Sequence, residues 1–324
     1  MNHSPGPFDR PVQFIVDHLS RLTGRSPLEV TQLLRQESKL IGTTVQQSAK
    51  DFGLVPHVWN QQLMDFYAST DAFLFETATW NFTRMKRNMR QYVVTQLQRS
   101  LPAGSCVLCF GDGMGFDSEA ISRAGFDVIC FEVSGPCLQF AEKWFLRNQS
   151  SVKIETDFQT LAKRKFDAII CLDVLEHVQE PPALVREFHQ WLNPEGLFIV
   201  HAPYYHVDAT RPTHLESNRC YAGQIEQLYE AAGFRLKSIG GLLLDPLVFI
   251  KSADSQPGTA WGKKVIGKTL TSLCRRVRVI PSLLAPWFTR LHTSWHKELK
   301  QLHARYQGTG KGPNDQCFSL PSDP

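Results

Sequence analysis

The chain has 324 residues, 42% of them hydrophobic and 20% charged, with a net charge of +4. This is the balance of a soluble globular protein of one large or two medium domains. It contains no run of 18 or more apolar residues and no charged-then-apolar stretch at Met1-Asn-His-Ser-Pro-Gly-Pro7, so neither a transmembrane helix nor a secretory leader is expected.

In chain order, residues 1 to about 100 read as helical. Ser26-Pro27-Leu28-Glu29 is a capping box with proline at the first helical position, and Val30, Leu33, Leu34 and Leu40 follow near helical spacing. An aromatic stretch, Phe66, Tyr67, Phe73, Phe75, Trp80 and Phe82, leads into a basic helix over 84–99. These aromatics either pack a helical cap onto the core or close a lid over an apolar substrate. Strands are predicted at 106–110, 127–132, 152–156, 166–172, 196–202, 234–240 and 246–252, with helices at 117–124, 135–147, 182–191 and 220–232. Such alternation implies an α/β fold, a mainly parallel sheet with helices on both faces. The short connection through Gly240-Gly241 makes the last two strands a hairpin. Four segments follow: a helical cap (1–100), an α/β domain (101–254), a basic helical extension (255–307) and a disordered tail (308–324).

The stretch Cys106-Val-Leu-Cys-Phe-Gly-Asp-Gly-Met-Gly115 carries the most information. A short apolar strand ends in Gly111, Gly113 and Gly115, and Asp117-Ser118-Glu119 then opens a helix. Glycine allows a sharp bend against which a ligand can lie. Phe116 stands where a dinucleotide fingerprint has its third glycine, and the Lys-Ser/Thr of a P-loop is absent. Asp112 puts a carboxylate in the turn, which favours a cationic or zwitterionic ligand over a pyrophosphate. The second strand ends in Glu132, whose carboxylate suits the vicinal hydroxyls of a ribose. Asp157-Phe158 follows the third strand, an acid and an aromatic wall suited to adenine, although Asp157 also reads as a helix cap. The fourth strand runs through Leu172 into Asp173-Val-Leu-Glu176-His177-Val178.

Together these residues resemble the class I S-adenosylmethionine-dependent methyltransferases, and the D-x-x-E-H resembles their ubiquinone/menaquinone branch. The resemblance covers about residues 103–252 and implies a Rossmann-like seven-stranded sheet with an antiparallel last strand. It implies S-adenosyl-L-methionine as cofactor, held by Gly111, Asp112, Gly113, Gly115, Glu132, Asp157, Phe158, Leu172 and Asp173. Two departures stand out: Cys109 where the family has an acid, and Asp112 where it has a small residue. Asp112 is the candidate to replace the lost contact to the cofactor's ammonium.

Methyl transfer needs an acceptor in line with the methyl group and a proton acceptor if the nucleophile is a hydroxyl. Histidine suits that role. His206, in the loop after the fifth strand, and His177 are the candidates, with His201 read as packed within its strand. On one helical face Asp173, Glu176 and His177 would stand together. Quinone O-methyltransferases with such a set can hold a divalent metal, but a capped helix start is the expectation for these residues and no metal is assigned to them.

Between Trp261 and Tyr306 ten lysines and arginines face Glu298 alone, interleaved with Leu283, Leu284, Trp287, Phe288, Leu291 and Trp295. This pattern suits a peripheral membrane contact, or a helical extension packed on the N-terminal helices. RNA is disfavoured because the fourth-strand end lacks an Asn/Asp-Pro-Pro-aromatic sequence. A catalytically degenerate binding module is the remaining alternative. The eight cysteines have no framework spacing, and Cys106 and Cys109 point to opposite strand faces. The expectation is a cytoplasmic, membrane-peripheral at most, methyltransferase of a small-molecule hydroxyl.

Overall fold

The computed structural model describes residues 11–133, 135–240, 246–252 and 293–309. Six helices come first: α1 (Pro11–Thr23), α2 (Pro27–Glu37), α3 (Thr43–Phe52), α4 (Gln61–Ser69), α5 (Ala72–Asn81) and α6 (Arg84–Ser100). The capping box at Ser26 is formed, with Glu29 accepting from the Ser26 N–H at 2.8 Å. The first four N–H groups of any helix lack internal partners, so this exchange fixes where α2 starts.

Seven strands make one sheet: β1 (Cys106–Phe110), β2 (Asp127–Phe131), β3 (Lys153–Glu155), β4 (Phe166–Leu172), β5 (Leu192–His201), β6 (Phe234–Ile239) and β7 (Leu247–Lys251). Their order is β3-β2-β1-β4-β5-β7-β6. β1 to β5 are parallel, and β7 runs antiparallel between β5 and β6. Strand order reverses between β1 and β4, so the crevice beyond their carboxyl ends is where an open α/β sheet binds ligands.

Alternate residues feed two cores. Leu108, Phe110, Ile129 and Phe131 pack with Phe188 and Trp191 of α10 (Pro181–Trp191). Val107, Cys109 and Val128 pack with Met89, Val93 and Leu97 of α6. This period of two requires cover on both faces. Helix α6 supplies part of that cover, so it belongs to the sheet's packing as much as to the N-terminal helices. Cys106 and Cys109 do face opposite cores.

The other sheet helices are α7 (Phe116–Arg123), α8 (Pro136–Arg147), α9 (Phe158–Ala162) and α11 (Ile225–Leu228). The helix expected over 220–232 is instead broken. A 3-10 turn covers Glu216–Tyr221, α11 is one turn long, and a second 3-10 turn covers Glu230–Ala232. Gly223 at φ +72° causes the first break, because that backbone conformation cannot continue a right-handed helix.

The last helix, α12 (Thr293–Thr309), buries Trp295, Leu299 and Leu302 among the apolar residues of α1 and α2. The Trp295 and Phe82 rings stack at 4.0 Å, and Thr31 Oγ1 meets His303 Nδ1 at 2.9 Å. Trp295 is therefore committed to the interior rather than to a surface. Gly308 and Thr309, expected in the tail, close this helix; the rest of the tail, the linker near 255–258 and most of the basic segment lie outside the described residues. Among the described residues no helix is long and apolar enough to cross a membrane.

Candidate active site

The first strand-to-helix turn is built from three left-handed glycines that do different work. A Cβ on Gly111 (φ +72°) would sit 2.6 Å from Val174, and one on Gly115 (φ +79°) 2.4 Å from Phe145. Both are dictated by packing. Gly113 (φ +64°) is open: a Cβ there would meet only Thr77 of α5 at 3.6 Å and the Glu132 carboxylate at 4.0 Å. The Gly113 N–H donates to Glu132 Oε2 at 2.6 Å, and the Val133 N–H to Oε1 at 2.9 Å. Glu132 thus joins the ends of β1 and β2 beside the open glycine, and burial raises its pKa.

Asp112 turns inward. Its carboxylate accepts from the N–H groups of Ser118 at 2.6 Å and Asp117 at 3.2 Å, closing the start of α7. Burial first, and Asp117 next, push its pKa up to about 7. These contacts direct Asp112 to the helix start. Asp157 likewise caps its own helix, accepting from Gln159 N at 3.0 Å and the Thr160 hydroxyl at 2.6 Å. Phe158 packs edge-on against Phe110, Phe131 and Trp191.

Leu172 ends β4 in the core, and Asp173 follows at φ +61°, an uncommon conformation for a residue with a side chain. It aims the carboxylate at three partners from distant parts of the chain. Oδ2 receives Lys86 Nζ at 3.1 Å and Trp80 Nε1 at 2.9 Å, and Oδ1 receives His201 Nδ1 at 2.5 Å. Burial opposes ionisation of Asp173, but Lys86 and His201 outweigh it and hold its pKa well below the carboxylate range. The backbone N–H of Asp173 also donates to the His201 carbonyl at 2.9 Å.

Asp173 does not share a helical face with Glu176 and His177. Leu175–His177 is a single 3-10 turn, and the left-handed backbone at Asp173 points its carboxylate toward α5 and α6 instead. His177 Nδ1 lies 3.1 Å from the Thr213 carbonyl and 3.0 Å from the Tyr67 hydroxyl. A carbonyl only accepts, so Nδ1 carries the proton and Nε2 the lone pair. Burial pulls the His177 pKa down to about 4. His206 is also pulled down to about 4, by burial and then by Arg211.

A cavity of about 220 Å³ lies between α3, α5 and the loop after β5. Ile41, Val45, Phe73 and Met85 give it apolar walls, while Asp173, His177, His201, His206 and His214 line its polar side. Of the aromatic stretch, Phe66 and Phe75 are buried packing, whereas Phe73 and Trp80 face the cavity. Glu76 lines it too, pushed up to about 7 by burial despite Arg211 Nη1 at 3.3 Å. Sequence reasoning missed Trp80, Lys86 and His201 as partners of Asp173. No spacing signal marks contacts 93, 87 and 28 residues apart.

Residues 82–239 match the profile of the methyltransferase domain family. A ubiquinone biosynthesis O-methyltransferase of Xanthomonas axonopodis pv. citri is 28% identical over 177 residues, 48% of this chain and 72% of that protein. The enzyme of the same name from Coxiella burnetii is 28% identical over 162 residues, 44% of this chain and 69% of that one. Among solved structures, magnesium protoporphyrin IX methyltransferase of Synechocystis with bound S-adenosylmethionine is 20% identical, covers 60% of this chain and 99% of its own, and has a TM-score of 0.44. With the sheet order and the glycine turn in place, the domain match makes this chain a member of the class I S-adenosylmethionine-dependent methyltransferases.

Proposed function

We propose that the protein transfers the methyl group of S-adenosylmethionine to a hydroxyl of a small, largely apolar acceptor in the cavity beneath α5. The observation that carries this reading is the Asp173–His201 pair on the cavity wall. Bound S-adenosylmethionine supplies a sulfonium-activated methyl group. The open face of Gly113 and the Glu132 carboxylate are suited to its ribose, with Gly111, Gly115, Asp112, Leu172 and Asp173 shaping the crevice and Asp157 and Phe158 at its β3 end.

An ionised Asp173 accepts from His201 Nδ1–H, which fixes the tautomer and makes Nε2 the nitrogen that takes the acceptor's proton. Asp173 then stabilises the imidazolium that forms. His206 and His177 line the same cavity, but a pKa near 4 makes each a weak base at neutral pH. The ubiquinone-biosynthesis relatives named above support oxygen as the methylated atom. The apolar walls Ile41, Val45, Phe73 and Met85 suit an acceptor with one polar edge.

Two measurements test the reading. Calorimetry with S-adenosylmethionine should give at least tenfold weaker binding for Glu132→Ala; unchanged binding removes the ribose assignment. In a hydroxyl-acceptor screen, His201→Gln should lower kcat by about 100-fold or more, the usual worth of a general base. It should leave cofactor affinity near the parent's. A larger loss in His206→Gln than in His201→Gln would return the base to His206.

A further inference from the structure

A second hollow, of about 310 Å³, lies between α2 and α12, and none of its lining residues lines the cavity beneath α5. Its polar wall is made by Gln32, Arg35, Gln36, Lys39, His303 and Gln307. Among the described residues no carboxylate lines it. The two acids of α2 are committed elsewhere. Glu29 accepts from the Ser26 N–H at 2.8 Å, and Glu37 from the N–H groups of Gly42 and Thr44 at 2.7 and 2.5 Å. Among the described residues the side chains of Arg35, Lys39 and the three glutamines make no hydrogen bond or ion pair. The hollow therefore gathers two uncompensated cations and three uncommitted amides around one space.

His303 is the buried member of this wall, 8% exposed. Its Nδ1 lies 2.9 Å from Thr31 Oγ1, and the Thr31 hydroxyl donates its single proton to the Leu28 carbonyl at 2.8 Å. The hydroxyl can then only accept from the ring, so Nδ1 carries the proton and Nε2 is left for a ligand. Burial first, and the charge of Arg35 next, lower the His303 pKa, which keeps a lone pair on Nε2 at neutral pH. Cations suit the charged oxygens of an oxyanion, and amides suit hydroxyls on the body that carries it. A lone pair fixed between them suits an oxyanion that still holds a proton. Phosphate monoesters hold one near neutral pH, whereas carboxylates and sulfates do not. The volume is that of a small-molecule site rather than of a bare ion.

We infer that the hollow between α2 and α12 binds a phosphate monoester, at a place separate from the methyl-transfer site. Arg35 and Lys39 take the charged oxygens, His303 Nε2 accepts the P–OH hydrogen, and the glutamine amides hold the polar body of the ligand. Both helices lie outside residues 82–239, the part that matches the methyltransferase domain, so the ligand bridges the chain's N- and C-terminal helices. Those helices already share a core through Val30, Leu34, Trp295 and Leu299. A ligand that binds only the folded pair stabilises it further. A soluble phosphate ester and a lipid headgroup ending in a phosphate offer the same chemistry here. The inference does not depend on the nature of the methyl acceptor.

The test uses the full-length protein and glycerol 3-phosphate at constant ionic strength. Calorimetry should give one site per chain. Arg35→Gln and His303→Gln should each weaken binding at least about tenfold, the worth of one charge-assisted hydrogen bond. Affinity for S-adenosylmethionine should stay at the parent's value in both, which separates this site from the methyl-transfer site. Lys39 is exposed and Arg35 half-buried, so Arg35→Gln and Lys39→Gln keep the test open if His303→Gln fails to fold. Sedimentation with phosphatidylcholine vesicles carrying phosphatidic acid distinguishes the two sources. Pelleting that needs Arg35 and is abolished by glycerol 3-phosphate identifies a lipid headgroup. Calorimetric binding without pelleting identifies a soluble ester. Absence of saturable binding to both probes, or parent-like binding in Arg35→Gln and Lys39→Gln, would overturn the assignment. So would sulfate binding as tightly as the ester, since sulfate offers Nε2 no proton.

Discussion

Lys86 Nζ stands 3.1 Å from Asp173 Oδ2, and the same ammonium lies 3.0 Å from Asp117. One cation from α6 thereby ties the end of β4 to the start of α7, the two turns that flank the switch point of the sheet. Burial works against the lysine's charge, but Asp117 and Asp173 outweigh it and raise its pKa above the ordinary range. Arg90 adds a second contact to Asp117 at 2.7 Å.

Lys86→Met should therefore destabilise the fold by about 3 kcal/mol or more, because it leaves the buried Asp117 and the half-buried Asp173 carboxylates short of a counter-charge. Urea unfolding at neutral pH measures this. The sign with pH follows from Asp173. Its folded pKa is depressed, so its stabilisation is present above about pH 4 and is lost as pH falls through the folded value. The variant should lose more at pH 7 than at pH 3. A loss of equal size at both would mean that packing, not charge, is what Lys86 supplies.

The glycines separate folding from binding. Gly115→Ala drives a methyl into Phe145, a contact at 2.4 Å that a buried ring cannot easily relieve. It should cost about 2 kcal/mol or more in urea unfolding, combining overpacking with left-handed strain. Gly113→Ala meets no close atom and should cost only about 1 kcal/mol, from its φ of +64°. Its methyl occupies the face beside Glu132, so calorimetry should show a marked loss of S-adenosylmethionine affinity. Parent-like affinity in Gly113→Ala would mean that the cofactor does not lie on that face.

The sheet was legible because each strand is a short apolar run ended by a turn signal. The stretches 106–110 and 166–172 form strands with those limits. The order of strands was not legible, since alternation implies a parallel sheet without fixing its sequence across the sheet. The site was less legible. Asp173-x-x-Glu176-His177 reads as one helical face only if the backbone is helical, and a single left-handed residue at 173 divides it. His201 ends an apolar strand and reads as packing; its partner lies at the end of the neighbouring strand, in register with Leu172. Lys86 lies on a helix dense in basic residues, where burial cannot be inferred from spacing. Pairing across tertiary distance, not local pattern, decides these roles.

Asn218 should matter through the turn it holds. It is 1% exposed and its one amide nitrogen serves three carbonyls. Asn218→Ala should cost about 2 kcal/mol, because those carbonyls are left without a donor in a buried place. Parent-like stability in Asn218→Ala would show that the turn holds its shape without this amide.

Glu176 gives the fold a pH signature of its own. Burial first, then the charge of Asp173, holds its pKa up to about 8 against an ordinary value of 4.5. A folded pKa above the unfolded one means that the folded state keeps a proton the unfolded chain has lost. The contribution to stability is whole below pH 4.5 and declines as pH rises through about 8. One such group gives at most about 1.4 kcal/mol per pH unit. Glu176→Gln mimics the protonated acid without titrating. Parent and variant should have similar urea midpoints at pH 5, and the variant should gain on the parent up to pH 8, by on the order of 3 kcal/mol. Glu76 and Asp112, each held up to about 7, decline in the same direction, so the variant keeps a residual slope. Parallel midpoints from pH 5 to 8 would mean that Glu176 is ionised throughout and already has a cationic partner.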